Sequence, residues 1–71
     1  MADSTAQFAE NLRRLRLAAG LTQQALSDRM QMEPAELSRL ERGGRNPRLR
    51  TLVRVSRGLD VTLAELLHGM E

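Results

Sequence analysis

The sequence predicts an all-α fold, a single small domain of five short helices, and three observations lead there. Leucine, valine, methionine and alanine recur at helical spacing along the chain. Glycines, prolines and capping residues punctuate that pattern at short intervals. There is no cysteine and one aromatic residue, Phe8, so the core must be aliphatic and held without disulfides or thiolate–metal sites. A chain of 71 residues is one domain at most. Such a chain buries only about 60% of its unfolded surface, so its stability margin is thin.

The elements follow in order. A first helix is predicted over 5–19, with Ser4 and Gln7 spaced as in a capping box. Phe8, Leu12, Leu15 and Ala19 form its buried stripe, and Gly20 stops it. A second helix over 23–30 is capped by Thr22, with Ala25, Leu26 and Met30 on one apolar face. After a turn at Gln31 and Met32, Glu33 stands at a cap position. Pro34 stands at the first helical position, where its missing N–H costs nothing. In this third helix, over 34–42, Leu37 and Leu40 point inward, while Ala35, Ser38, Arg39 and Arg42 share the opposite side. Gly43 and Gly44 end it, and Arg45, Asn46 and Pro47 form a loop. A fourth helix over 49–59 turns Leu49, Leu52, Val53, Ser56 and Leu59 inward and Arg50, Arg54 and Arg57 outward. Val55, with Leu17 of the first helix, falls off that core stripe. Asp60 and Val61 turn the chain. Thr62 and Glu65 form a second capping box, opening a fifth helix that ends near 67–69. Residues 1–4 are expected to be a flexible tail and 5–71 one domain, without linker, repeat or low-complexity tract.

Charge is placed unevenly. The net charge is only +2, yet all eleven basic residues are arginines. Seven of them fall between Arg39 and Arg57 against one acid, Glu41, a surplus of six. Arginine grips phosphate or guanine with two parallel hydrogen bonds, which lysine cannot do. A solvated surface also tolerates such charge. However, the window follows directly on two short helices joined by a tight turn, the layout of a DNA-reading helix-turn-helix, and this favours a phosphate-facing stripe.

Other function classes find little support. No apolar run approaches the ~20 residues of a membrane helix, no signal peptide is evident, and Met1 suggests an intact start. A cytoplasmic protein without membrane association is expected. The one histidine, His68, has no cysteine and no suitably spaced carboxylates beside it, so no metal site is expected. Glu33 and Glu36 are neighbours, but an acid/base pair needs a pocket that five short helices scarcely enclose. No phosphate-binding or dinucleotide fingerprint occurs. We expect no catalytic residue, no cofactor and no small-molecule ligand.

Taken together and in order, several motifs carry a resemblance. They are Arg16, Gly20-Leu21-Thr22-Gln23, Leu26, Leu37-Ser38-Arg39-Leu40-Glu41-Arg42-Gly43, Arg45-Asn46-Pro47, Leu49-x-x-Leu52, and Leu59-x-Val61-Thr62-Leu63-x-Glu65-Leu66-Leu67. The chain resembles the phage-repressor and Cro-like helix-turn-helix (XRE) family, the compact five-helix lambda-repressor-like DNA-binding domain, without gaps from about Leu12 to Leu67.

The resemblance implies that the third helix enters the major groove of double-stranded DNA while the second crosses the backbone. Bases would be read from Pro34, Ala35 and Arg39, with Glu36 and Ser38 flanking. Pro34 and Ala35 offer only contact with a thymine methyl or close backbone approach. Arg39 would carry most direct readout, as a bidentate pair to guanine worth about 1–3 kcal/mol of discrimination. Glu36 would accept from a cytosine amine or orient Arg39 or Arg42. Phosphates would be met by Thr22 and Gln23 at a positive helix end, and by Arg42, Arg45, Asn46 and Arg48. An ion pair between Arg16 and Glu41 is implied as structural support for the reading helix.

Three residues depart from the family pattern. Gln31 stands where glycine is common, so that it adopts positive φ or the turn shifts. Glu33 replaces the usual serine or threonine cap. Arg48 replaces a frequent serine.

The implied function is a homodimeric, sequence-specific transcriptional regulator. Its two modules would read half-sites about 34 Å apart in a palindromic operator. Leu63, Leu67 and Met70 are the candidate dimer contacts. Repression by occlusion is the simplest mechanism, since no separate activation, dimerisation or ligand domain is recognised. RNA polymerase is a further candidate partner, through acids such as Asp28, Glu33 and Glu36. The alternative is an antitoxin-type or adaptor protein that uses the same fold mainly to bind protein.

Overall fold

Local signals decide where the chain turns. The structure, a computed structural model, describes residues 4–70. Five helices follow one another: α1 (Ser4–Ala18), α2 (Gln23–Met30), α3 (Pro34–Arg42), α4 (Leu49–Leu59) and α5 (Leu63–Leu66). No strand occurs among the described residues.

Three of the five helix exits share one device. At the end of α1, Leu21 N–H donates to the Arg16 carbonyl at 3.1 Å and Gly20 N–H to that of Leu17 at 3.0 Å, with Gly20 at φ 73°. The same paired bonds close α2 around Gln31 (φ 52°) and α4 around Asp60 (φ 57°). This is the left-handed cap that satisfies the orphan carbonyls of a helix end. Gln31 therefore adopts positive φ in place of the common glycine, and the turn is not shifted. At the exit of α3, Gly43 has φ 83° and ψ −178°, a region open to glycine alone. A Cβ there would also lie 3.6 Å from the Ala6 Cα, so α1 and the end of α3 meet closely.

Entries differ more. Thr22 accepts from Ala25 N–H at 3.0 Å to start α2. Thr62 and Glu65 close a reciprocal capping box on α5. Glu33 and Arg48 precede α3 and α4 with extended backbone and no side-chain cap bond. Ser4 is already the first residue of α1 and not its cap. Of the expected flexible tail, residues 1–3 lie outside the described residues.

Phe8 and Leu12 of α1, Leu26 and Met30 of α2, Leu37 and Leu40 of α3, Val55 and Leu59 of α4, and Leu66 of α5 form one buried cluster. α1 packs on α3 and α5, α2 on α3 and α4, and α4 on α5. Burying such side chains contributes about 1.5–3 kcal/mol each.

Four expectations about facing are corrected, one of them Val53, which is half-buried and outside the core cluster. Val55 lies at the centre of the core, 0% exposed, whereas Leu49 is 70% exposed. The inward face of α4 runs through Leu52, Val55, Ser56 and Leu59, and Leu49, at the first helical position, overhangs the end of the core. Ala19 is exposed, because α1 ends one residue earlier and the chain leaves the core there.

No helix among the described residues is long and apolar enough to cross a membrane, and none of those residues forms a cluster able to hold a metal ion.

Candidate nucleic-acid interface

The arrangement of α3 follows from its two faces. Leu37 and Leu40 are 0% and 6% exposed and lock its inner side to the core. Ala35, Glu36, Arg39 and Arg42 are exposed on its outer side, while Pro34 and Ser38 are half-buried. None of these four exposed residues forms a side-chain hydrogen bond or ion pair among the described residues. The outer side thus offers one guanidinium mid-helix, a second at the helix end, and a small apolar step at Ala35. Such a surface suits the edges of base pairs and flanking phosphates.

Behind α3, one polar knot fixes its tilt. Arg16 of α1 and Glu41 of α3 form a bidentate ion pair, Nε to Oε2 at 2.7 Å and Nη2 to Oε1 at 3.1 Å, with side chains 10% and 4% exposed. Arg16 also donates to the Leu21 carbonyl at 2.8 Å, just before α2. Gln23, the first residue of α2, donates to Glu41 Oε1 at 3.2 Å. Three helices thereby meet on one carboxylate. The half-buried Gln23 side chain is turned to Glu41 in this structure, not free at the surface as its expected phosphate role suggested. The Thr22 hydroxyl, although exposed, already serves as the α2 cap.

The loop after α3 supplies the flank. Arg45, Asn46 and Arg48 are exposed there, around the half-buried Pro47. With Glu36 of α3 they border an open cleft of about 450 Å³, whose far wall includes Arg50 and Arg54 of α4. Sequence reading placed those two arginines outward on the fourth helix, within the phosphate-facing stripe between Arg39 and Arg57, without giving either a contact of its own. The surplus of charge between Arg39 and Arg57 was the available signal. Glu36 makes no ion pair with this arginine group among the described residues.

The expected dimer residues sit differently. Leu67 and Met70 are half-buried against the chain's own core, and Leu63 is 37% exposed. Leu17, at 56%, is more open than any of the three.

Asn11 was missed altogether. It is 2% exposed on α1 and donates to the carbonyls of Leu66 and His68 at 2.9 and 2.8 Å, while its Oδ1 accepts from Gln7 at 3.0 Å. No local pattern reveals such a bond across 55 residues.

Known proteins share this fold. Residues 12–66 match the family model described as Helix-turn-helix. Over 62 residues the chain is 39% identical to the uncharacterised HTH-type transcriptional regulator YqaE of Bacillus subtilis, a match covering 87% of this chain and 53% of that protein. It is 42% identical over 57 residues to the uncharacterised HTH-type transcriptional regulator y4dJ of Sinorhizobium fredii, covering 80% and 74%. The chain thus spans about half the length of the first relative and about three-quarters of the second. Among solved structures, the restriction-modification controller protein C.AhdI of Aeromonas hydrophila superposes with a TM-score of 0.83 at 32% identity, covering 87% of this chain and 94% of that one. On the strength of the family match, these likenesses and the α2–turn–α3 geometry, the chain belongs to the phage-repressor and Cro-like (XRE) helix-turn-helix family.

Proposed function

We propose that this protein is a sequence-specific DNA-binding transcriptional regulator that acts as a homodimer on a palindromic operator, in the cytoplasm, and represses by occluding polymerase. The observation that carries the reading is the presentation of α3. Its inner face is sealed into the core, and its outer face leaves Ala35, Arg39 and Arg42 unbonded and exposed. Arg39 reads a guanine, Ala35 lies against a thymine methyl, and Arg42, Arg45, Asn46 and Arg48 hold the backbone on either side. The helix-turn-helix regulators it resembles support a regulatory role.

Dimerisation follows from need, because one module of this size spans too few base pairs to select a genomic site. Leu63 is the large apolar α5 residue open to a second copy, while Leu67 and Met70 contribute only what the core leaves uncovered.

Selecting bound sequences from a random DNA pool tests the reading. A palindromic motif is the expected result, and Arg39→Ala should relax one base position in each half-site. A pool that yields no enriched motif would refute the proposal. Enrichment of a single, unrepeated half-site would refute the dimer alone.

A further inference from the structure

A second groove lies beside α4. It is an open trough of about 820 Å³ between the C-terminal turn of α2 and the outer side of α4. Arg29, Arg50, Arg54 and Arg57 line it together with Leu49 and Val53, and no carboxylate lines it. None of the four arginines forms an ion pair among the described residues. Leu49 is the most exposed large apolar residue described, at 70%. No residue of α3 lines the groove, although Arg50 and Arg54 also wall the cleft beside α3.

We propose that this groove docks an acidic, amphipathic helical segment of a partner protein, with carboxylates on the four guanidiniums and aliphatic side chains on Leu49 and Val53. Charge complementarity selects the occupant. A second copy of this chain placed symmetrically on the groove would oppose guanidinium to guanidinium with no acid between them. A nucleic-acid backbone would satisfy the charge but leave the exposed leucine against phosphates, with no apolar partner. A helix carrying glutamates and leucines one turn apart satisfies both halves of the lining. The groove avoids the outer side of α3 but shares Arg50 and Arg54 with the cleft beside it, so such a partner leaves α3 open while competing for those two guanidiniums. The docking does not depend on the DNA-reading proposal.

Arg29, Leu49 and Arg57 line this groove and not the cleft beside α3, so they separate the two surfaces. All three are exposed; Arg29 Nη1 also donates to the Gly58 carbonyl at 3.3 Å, so a melting curve of each variant accompanies the binding measurement. The probe is a fluorescein-labelled synthetic helix of about four turns with glutamate and leucine at i, i+4 spacing. Its controls are a peptide of the same composition in shuffled order and a DNA duplex of arbitrary sequence.

Fluorescence anisotropy with the full chain should show the ordered peptide binding more tightly than the shuffled one. Arg29→Glu combined with Arg57→Glu should weaken it by about tenfold or more. Leu49→Ser should weaken it by about fivefold. Duplex affinity should fall less than twofold in Leu49→Ser. Equal binding of both peptides, absence of peptide binding, or a loss of duplex affinity in Leu49→Ser matching its loss of peptide would each overturn the proposal. The last result would assign the groove to nucleic acid.

Discussion

Glu41 carries three partners on one nearly buried carboxylate, so its removal acts on more than charge. Glu41→Ala would leave the Arg16 guanidinium buried without its counter-ion, which costs about 3–5 kcal/mol. A melting curve should show a large fall. DNA affinity should fall with it, because α3 loses its tie to both α1 and the start of α2. An unchanged melting temperature would rule out the supporting role of this knot.

Gln31 offers the opposite case at the same scale. A β-carbon in left-handed backbone costs about 1–2 kcal/mol, and part of this returns with glycine. Gln31→Gly should therefore stabilise by about 1 kcal/mol, raising the melting temperature by about 4–8 °C. The Gln31 side chain is exposed, so little packing is lost with it.

Among the elements, α5 is the shortest, a single capped turn whose anchorage to α1 is Asn11 as much as Leu66. Asn11→Asp keeps the shape but replaces a donor to two carbonyls with an acceptor. The swap should destabilise the fold by about 3 kcal/mol. Amide hydrogen exchange should show residues 63–66 opening first; uniform protection across all helices would argue against that anchorage.

The same elements show what the sequence made legible. The bounds of α2, α3 and α4 were readable because each is set locally, by Thr22, by Pro34 and Gly43, and by Pro47 and Asp60. The facing of α4 was misjudged at Leu49 and Val55. Both fit an apolar stripe, and only the position of α2 and α5 beside it decides which one is covered. Asn11 and the inward turn of Gln23 were invisible for a related reason. Their partners lie 55 and 18 residues away, and a polar residue on a helix gives no local hint of such a bond. Ala35, Arg39 and Arg42 of α3 were read correctly as outward because its inner side is strongly marked by Leu37 and Leu40, whereas Ser38, read with them, is half-buried.

For the molecule as a whole, the decisive quantity is electrostatic. Binding through several phosphates should weaken linearly on a log–log plot against salt, by about 0.9 per phosphate neutralised. Arg48→Ala, tested on a selected duplex, should make that slope shallower by about 0.9 without altering the preferred sequence. An unaltered slope would remove Arg48 from the phosphate contacts.

One division of labour in this small chain also bears on how its specificity can change. The bonds that hold α3 in place come from its inner side and from Glu41, while Ala35, Glu36 and Arg39 make no side-chain bond among the described residues. Under the proposed reading of bases from α3, rewriting those three positions would retarget the protein to a different site while the scaffold stays as it is. A lineage descended from this chain can therefore diverge in which genes it answers to long before it diverges in shape.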